Sequence, residues 1–96
     1  MRYFHRTSVA PEQVLAEAER FFEGHLETAE RGDRLRRFTG TVGEGKISVR
    51  AEGGHYVHIT AETDQVGESE VDKMAKGFLS RVHKLAHPSH EVRGAY

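Results

Sequence analysis

The sequence predicts an α+β fold, a two-layer sandwich in the order β-α-β-β-β-α, with a four-stranded antiparallel sheet and both helices on one face. Three observations lead to this prediction. Within residues 35–63, three runs of alternating apolar and polar residues are separated by glycine-containing turns, which is typical of an antiparallel meander. Amphipathic helical patterns precede and follow the meander. Residues 2–9 have the composition of a further strand.

The first strand is predicted over residues 2–9, which are rich in aromatic and β-branched side chains. We expect Phe4 to face the core, while Tyr3, His5 and Thr7 face outwards. This strand would most simply pair with the third strand of the meander, whose edge is left free when the first helix crosses the sheet.

The first helix is predicted to begin at Pro11, because proline suits the first turn of a helix. Apolar residues then recur at helical spacing, and we expect them to pack in the core: Val14, Leu15, Ala18, Phe21, Phe22 and Leu26. Residues 28–34 are polar and contain Gly32-Asp33, so they are predicted to be a linker into the meander.

The register of the second hairpin of the meander follows from keeping apolar residues on one face. A three-residue loop over residues 53–55 pairs Glu52 with Tyr56 and sets Val49 opposite Ile59. A two-residue loop would mix core and solvent residues on the same face. The three-residue loop is therefore predicted, with a glycine at positive φ.

The register of the first hairpin follows from the same requirement. Placing Val42 opposite Ile47 leaves a four-residue loop over residues 43–46. It also sets Arg37 opposite Glu52, whereas a shorter loop would oppose two arginines. The outer face predicted from both hairpins is polar and mixed in charge, and it is either solvated or a contact surface: Arg37, Thr39, Thr41, Ser48, Arg50, Glu52, Tyr56, His58, Thr60 and Glu62.

The second helix is predicted to be capped by Ser69, with Asp72 in the place of the usual Glu or Gln of a capping box. Its apolar stripe has regular helical spacing: Val71, Met74, Ala75, Phe78, Leu79, Val82, Leu85 and Ala86. Pro88 is expected to end the helix, and residues 88–96 to form a flexible tail or an additional edge strand.

This order of elements resembles a shortened helix-grip fold of the START/polyketide-cyclase class, or one half of a TATA-binding-protein-type saddle. The resemblance covers the order of elements and rests on no sequence motif. A helix-grip fold would imply a cavity between the sheet and the C-terminal helix.

Composition narrows the class of protein. The 96 residues are expected to form a single domain, residues 1–96. The formal net charge of −1 predicts no general attraction to nucleic acid, and the absence of cysteine excludes disulfides.

No apolar run approaches the ~20 residues of a membrane span, and the first residues lack a signal-peptide pattern. We therefore expect a cytoplasmic protein. The ten arginines against four lysines suggest a GC-rich or thermophilic source, and we expect a bacterial one.

Histidines near the C-terminus raise the question of a metal site. His83 and His87 are four residues apart, with His90 nearby. His87 precedes Pro88, which disfavours helical geometry there, and no carboxylate follows at helical spacing. We expect neither metal nor cofactor.

An enzymatic interpretation would use His58 as a base with Glu62 and Arg50. On one strand, His58 and Glu62 would lie ~13 Å apart, which is too far for a catalytic pair. An open sheet would also exclude little water. We therefore expect a protein without catalytic activity.

The predicted binding surface is the outer face of the sheet, represented by Tyr3, Arg37, Arg50, Tyr56 and His58. A small open-faced sandwich often gains a second core by association, so a homodimer is the main expectation. Nucleic acid could stack on the same rings, but Glu52, Glu62 and the net charge disfavour this partner.

The alternative function is a carrier of a small apolar ligand, of reduced helix-grip type. Its pocket would lie between the last helix and the sheet and be lined by Phe38, Val49, Ile59, Phe78 and Val82. For these five residues, ordinary core packing is the favoured expectation.

Overall fold

The computed structural model describes residues 1–66 and 69–86, and it shows an α+β architecture. The elements follow in the order β1 (Arg2–Thr7), α1 (Pro11–Phe22), β2 (Glu27–Gly32), β3 (Leu35–Gly40), β4 (Gly43–Glu52), β5 (Tyr56–Thr63) and α2 (Glu70–Ala86). The strands form one antiparallel sheet in the order β1-β5-β4-β3-β2. The apolar sides of both helices join the inner face of the sheet in a single hydrophobic cluster.

The sheet has five strands among the described residues, so the prediction of four was wrong. The additional strand, β2, occupies most of the stretch predicted as a linker. Its sequence Glu-Thr-Ala-Glu-Arg-Gly has no apolar alternation. An edge strand can form without it, because backbone pairing to one neighbour can hold the strand in place. A bulge between Thr28 and Glu30 interrupts its pairing with β3, as is common at sheet edges.

The second hairpin and the position of β1 are confirmed. Glu52 pairs with Tyr56 and Val49 with Ile59, around a three-residue loop in which Gly53 and Gly54 have φ values of 50° and 75°. Strand β1 pairs antiparallel with β5. The alternation of apolar residues in β4 and β5 was therefore sufficient to set their register.

The predicted first hairpin was wrong. Gly40 pairs with Gly43 around a two-residue turn, so Val42 lies exposed in the turn. Arg37 consequently lies opposite Lys46 rather than Glu52. The expected repulsion is compensated, because the Arg37 guanidinium contacts two carboxylates at 3.1 Å, those of Glu30 on β2 and Glu44 on β4.

The two faces of β1 are the reverse of the prediction. Tyr3, His5 and Thr7 lie on the inner side, whereas Phe4 is 54% exposed on the outer side. Tyr3 can turn inwards because its phenol donates a hydrogen bond of 2.5 Å to Asp72 Oδ2 in the first turn of α2. A polar ring tip is tolerated at the margin of a core when it has such a partner.

The helical stripes predicted from sequence form the core. Phe22 packs on Phe38 with ring centroids 4.7 Å apart and on Phe78 at 5.7 Å. Leu26 is buried although α1 ends at Phe22. At the start of α2, the Asp72 amide donates to Ser69 Oγ at 3.2 Å, as the capping prediction requires. No helix of the described residues is long and apolar enough to cross a membrane.

Candidate functional site

The outer face of the sheet is organised in rows, because antiparallel register aligns the outward residues of neighbouring strands. One row carries no charge and crosses all five strands: Phe4, Thr60, Ser48, Leu35 and Gly32. We call it the uncharged row. No described helix covers it, since both helices pack on the opposite side.

Phe4, at one end of this row, belongs also to a cluster that extends to one side of it. We call this cluster the arginine–aromatic corner: Phe4, Arg6, Arg50, Glu52, Tyr56 and His58. Glu52 lies at its centre. Its carboxylate is 2.6 Å from the Arg6 guanidinium, 3.4 Å from that of Arg50 and 3.6 Å from His58 Nδ1. Partial desolvation alone would raise the pKa of Glu52, but Arg6, Arg50 and His58 together hold this pKa below its ordinary value. The corner therefore keeps an ionised carboxylate shared between two arginines.

The aromatic rings of the corner are exposed and held by their neighbours. The Phe4 and His58 ring centroids are 5.3 Å apart. The Arg6 guanidinium lies over the Tyr56 ring, 5.8 Å from its centroid. Tyr56 is 51% exposed, and the Arg50 side chain is 70% exposed. The corner thus presents two half-exposed rings and two arginines, a composition typical of the centres of protein interfaces.

On the other side of the uncharged row lies an acidic end, with five carboxylates and three bases: Glu27, Glu30, Glu44, Glu62, Asp64, Arg2, Arg37 and Lys46. Glu62 is 3.7 Å from the Arg2 guanidinium and 3.8 Å from Lys46 Nζ. A shallow depression of about 200 Å³ lies here, and its polar lining includes Arg37, Glu44, Lys46, Glu62 and Asp64. The outer face therefore has two halves whose net charges are opposite in sign.

The sequence predicted the position of some residues of the outer face correctly and the position of others wrongly. Arg50, Tyr56 and His58 come together in the corner. Arg37 lies in the acidic end, four residues beyond the corner along the strand direction, or ~13 Å. Tyr3 lies on the inner side of the sheet and belongs to neither half.

Phe4 and Arg6 were missed as members of the outer face. A signal for them was present in the sequence, because Phe4 shares its side of β1 with Arg2 and Arg6. Arginines are almost never fully buried unless paired, so the side that carries two of them is the outer side. The prediction gave more weight to the apolar character of Phe4 than to its charged neighbours.

The five residues considered for a ligand pocket are core side chains. Phe38, Val49, Ile59, Phe78 and Val82 are at most 5% exposed and belong to one packed cluster. An open groove of about 660 Å³ exists elsewhere, near the end of α1, and is lined by Gly24, His25, Leu26, Glu27, Thr39, Gly40 and Thr41. None of the five residues lines this groove.

On the inner side, Asp72 is 0% exposed and gathers polar partners around the end of β1. Besides the Tyr3 phenol, these are the Thr63 hydroxyl at 3.4 Å and Lys76 Nζ at 3.6 Å. Burial raises the pKa of Tyr3, and the hydrogen bond to Asp72 raises it further. This cluster joins β1 and β5 to α2.

The histidines and carboxylates of the described residues form no metal-binding cluster. Within residues 1–66 and 69–86, no group of three or more His, Cys, Asp or Glu side chains could hold a metal ion. His5 and His83 have ring centroids 5.9 Å apart. His87 and His90, which were considered as metal ligands and not expected to be such, fall outside the described residues, as does the expected helix end at Pro88.

No protein-family model matches the chain, and no curated protein matches it at a significant level.

Proposed function

We propose that the protein is a small non-enzymatic interaction module that pairs with a second copy of itself through the outer face of its sheet. The observation that carries the proposal is the exposure of Phe4 and Tyr56 on a face that no described helix covers. Half-exposed aromatic rings framed by arginines lose unfavourable contact with water when a partner covers them.

The size of the face supports this proposal. The described structure measures 36 × 31 × 21 Å, and the sheet forms one of its broad sides. A stable interface buries about 800 Å² on each partner, which such a side can provide. Pairing would also bury apolar surface that the single core of such a small domain leaves exposed.

The absence of enclosure supports a non-enzymatic role. The corner is open to solvent, and its carboxylate, Glu52, is held ionised by two arginines rather than poised to exchange protons. General acid–base catalysis favours a group whose pKa lies near the working pH. The pKa of Glu52 is instead lowered, which keeps its carboxylate ionised.

A second candidate is the binding of single-stranded nucleic acid at the same corner. It is favoured by one observation, since Phe4 and Arg6 add a ring and a cation to the face beside Tyr56 and Arg50. Bases stack on such rings and phosphates pair with such arginines. The carrier function gains no comparable support, and the cytoplasmic location and bacterial source stay predictions.

The proposal is tested by native mass spectrometry and analytical ultracentrifugation over a range of concentrations. We expect a dimer for the native chain and a monomer for Tyr56→Glu, because a buried unpaired carboxylate is costly at an interface. Ala16→Glu is the matched control, since it adds the same charge to an exposed position on α1, in the opposite layer. Circular dichroism should show that both variants are folded. A native chain that stays monomeric at the highest concentration would refute the proposal.

A further inference from the structure

We propose that the free edge of β2 binds an extended basic segment of another protein, which adds to the sheet as a further strand. This edge is the opposite margin of the sheet from β1, the strand that carries Phe4 and Arg6 of the corner. Binding at β2 therefore does not require dimerisation. Three features of the edge point to it: backbone groups without a strand partner, an adjoining groove and carboxylates without a cation.

The backbone of β2 is available along one side. In the order β1-β5-β4-β3-β2 it is the last strand, so within the part of the chain that the structure describes it pairs only with β3. Helix α1 packs over β4 and β3 and reaches β2 through the ion pair of Glu19 with Arg31. The N–H and C=O groups on the free side of an edge strand readily pair with an added strand.

A groove adjoins this edge where α1 ends. One part, of about 470 Å³, lies between the last turns of α1 and β2, and an open part of about 660 Å³ continues to the end of β3. The two parts share Gly24, Leu26 and Glu27. Leu26 is only 7% exposed and supplies an apolar floor. A strand added to β2 would direct alternate side chains into this groove.

The groove has an excess of negative charge. Its lining contains three glutamates and two arginines: Glu19, Glu23, Glu27, Arg20 and Arg31. Both arginines already form ion pairs, one with Glu19 at 2.9 Å and the other with Glu17 at 3.2 Å. Among the described residues, no base lies within ion-pair distance of Glu23 or Glu27, and both are exposed. A lysine or arginine of a bound segment would supply the missing cation.

Charge favours a basic segment over a second copy paired through β2. The outward charged residues of this strand are Glu27 and Glu30, so two copies joined edge to edge would bring only carboxylates together on that side. The bulge between Thr28 and Glu30 and these charges protect the edge against unselective pairing. A segment with basic side chains outwards would face Glu27, and its apolar side chains would lie inwards over Leu26.

The test uses a fluorescein-labelled peptide in which lysine alternates with valine over six residues, the length of β2. Its binding to the full native chain is measured by fluorescence anisotropy. One control peptide has glutamate in place of each lysine. A second carries N-methyl groups on two consecutive central amides, which removes donors from both of its edges. We expect saturable binding of the first peptide and at least about tenfold weaker binding of both controls.

Variants of the chain locate the binding. Glu27→Lys should weaken binding of the lysine peptide at least about tenfold, because attraction is replaced by repulsion. Glu12→Lys is the matched control, since it makes the same change at an exposed position at the start of α1, whereas the groove lies at its end. Circular dichroism checks that both variants fold. In NMR spectra of the native chain, the peptide should shift the amide resonances of residues 24–32.

Four outcomes would overturn the proposal. These are equal binding of the N-methylated peptide, amide shifts confined to the acidic end around residues 44–46 and 62–64, and no saturation up to about 1 mM peptide. The fourth is growth of the native chain into species larger than a dimer that Glu27→Lys abolishes, because β2 would then bind β1 of another copy, with its Arg2 and Arg6. Tyr56→Glu should bind the peptide as the native chain does, which separates this site from the dimer.

Discussion

The phenol of Tyr3 donates a hydrogen bond of 2.5 Å to the carboxylate of Asp72, which joins the edge strand β1 to the first turn of α2 across 69 positions of the chain. Asp72 is fully buried, so its partners determine the cost of placing a carboxylate there. Tyr3 also fixes the orientation of β1, because with Tyr3 turned inwards Phe4 and Arg6 must turn outwards.

Tyr3→Phe should lower the free energy of unfolding by about 1–3 kcal/mol, because it removes the shortest of the hydrogen bonds that stabilise the buried Asp72 carboxylate. Urea denaturation followed by circular dichroism measures this change. Tyr56→Phe is the matched control and should stay within about 0.5 kcal/mol, since Tyr56 is exposed. Equal stabilities for the two variants would show that the hydrogen bond to Asp72 contributes nothing.

The raised pKa of Tyr3 predicts a loss of stability in alkali. Burial first, and Asp72 second, favour the protonated phenol, so the folded pKa lies above the ordinary value of 10.0. The contribution to stability is therefore complete below pH 10.0 and is lost as the pH rises through the folded pKa. The difference in unfolding free energy between the native chain and Tyr3→Phe should shrink over that range. A difference that is independent of pH in alkali would contradict this assignment.

Glu19 on α1 should contribute stability that depends on pH in acid. Its carboxylate accepts hydrogen bonds of 2.9 Å from Arg36 on β3 and from Arg31 on β2, and these lower its pKa. The contribution is present above the ordinary pKa of 4.5 and is lost as the pH falls through the folded pKa.

We therefore expect Glu19→Gln to cost about 1 kcal/mol at neutral pH and to cost progressively less in acid. Guanidinium is unsuitable for this measurement because it is itself a salt, so urea should be used. Glu23→Gln serves as a control for the loss of one exposed carboxylate near the end of the same helix. A cost that persists unchanged in acid would assign the effect to packing instead.

Gly40→Ala should destabilise the fold, because a Cβ at this position would lie 2.6 Å from Leu26 Cδ2 and 3.2 Å from the His25 carbonyl oxygen. Overpacking of this kind typically costs about 1–3 kcal/mol. Gly45→Ala on the neighbouring strand is the matched control, since its nearest contacts would be at 3.8 Å. Thermal unfolding should separate the two variants, and equal midpoints would contradict the close approach of Leu26 to β3.

Some parts of the fold could be predicted because the information was local. In β4 and β5, apolar residues alternate in both strands, so only one loop length keeps Val49 and Ile59 on the same face. The stripes of the two helices repeat at helical spacing for several turns, and their residues form the core. Arg50, Tyr56 and His58 were therefore placed together on the outer face.

Other parts could not be predicted in this way, because a distant partner decides them. Strand β2 has no apolar alternation and exists through its pairing with β3. Glu30 on this strand then compensates the repulsion between Arg37 and Lys46, which lie opposite each other. The sequence alone favours a longer loop in the first hairpin, because a shorter loop places two cations opposite each other.

The sequence by itself determined the two helices and the strands β3, β4 and β5, because burial of periodic apolar residues requires a particular type of element. It also determined that β1 is a strand, through its aromatic and β-branched composition. The tertiary structure alone decided that β2, which lacks such periodicity, forms a strand, and which side of β1 faces the core. Strand β1 offers apolar or aromatic side chains on both sides, so its own pattern is ambiguous. The buried carboxylate of Asp72, distant in sequence and adjacent in space, makes the inward position favourable for Tyr3 and leaves Phe4 exposed on the outer face.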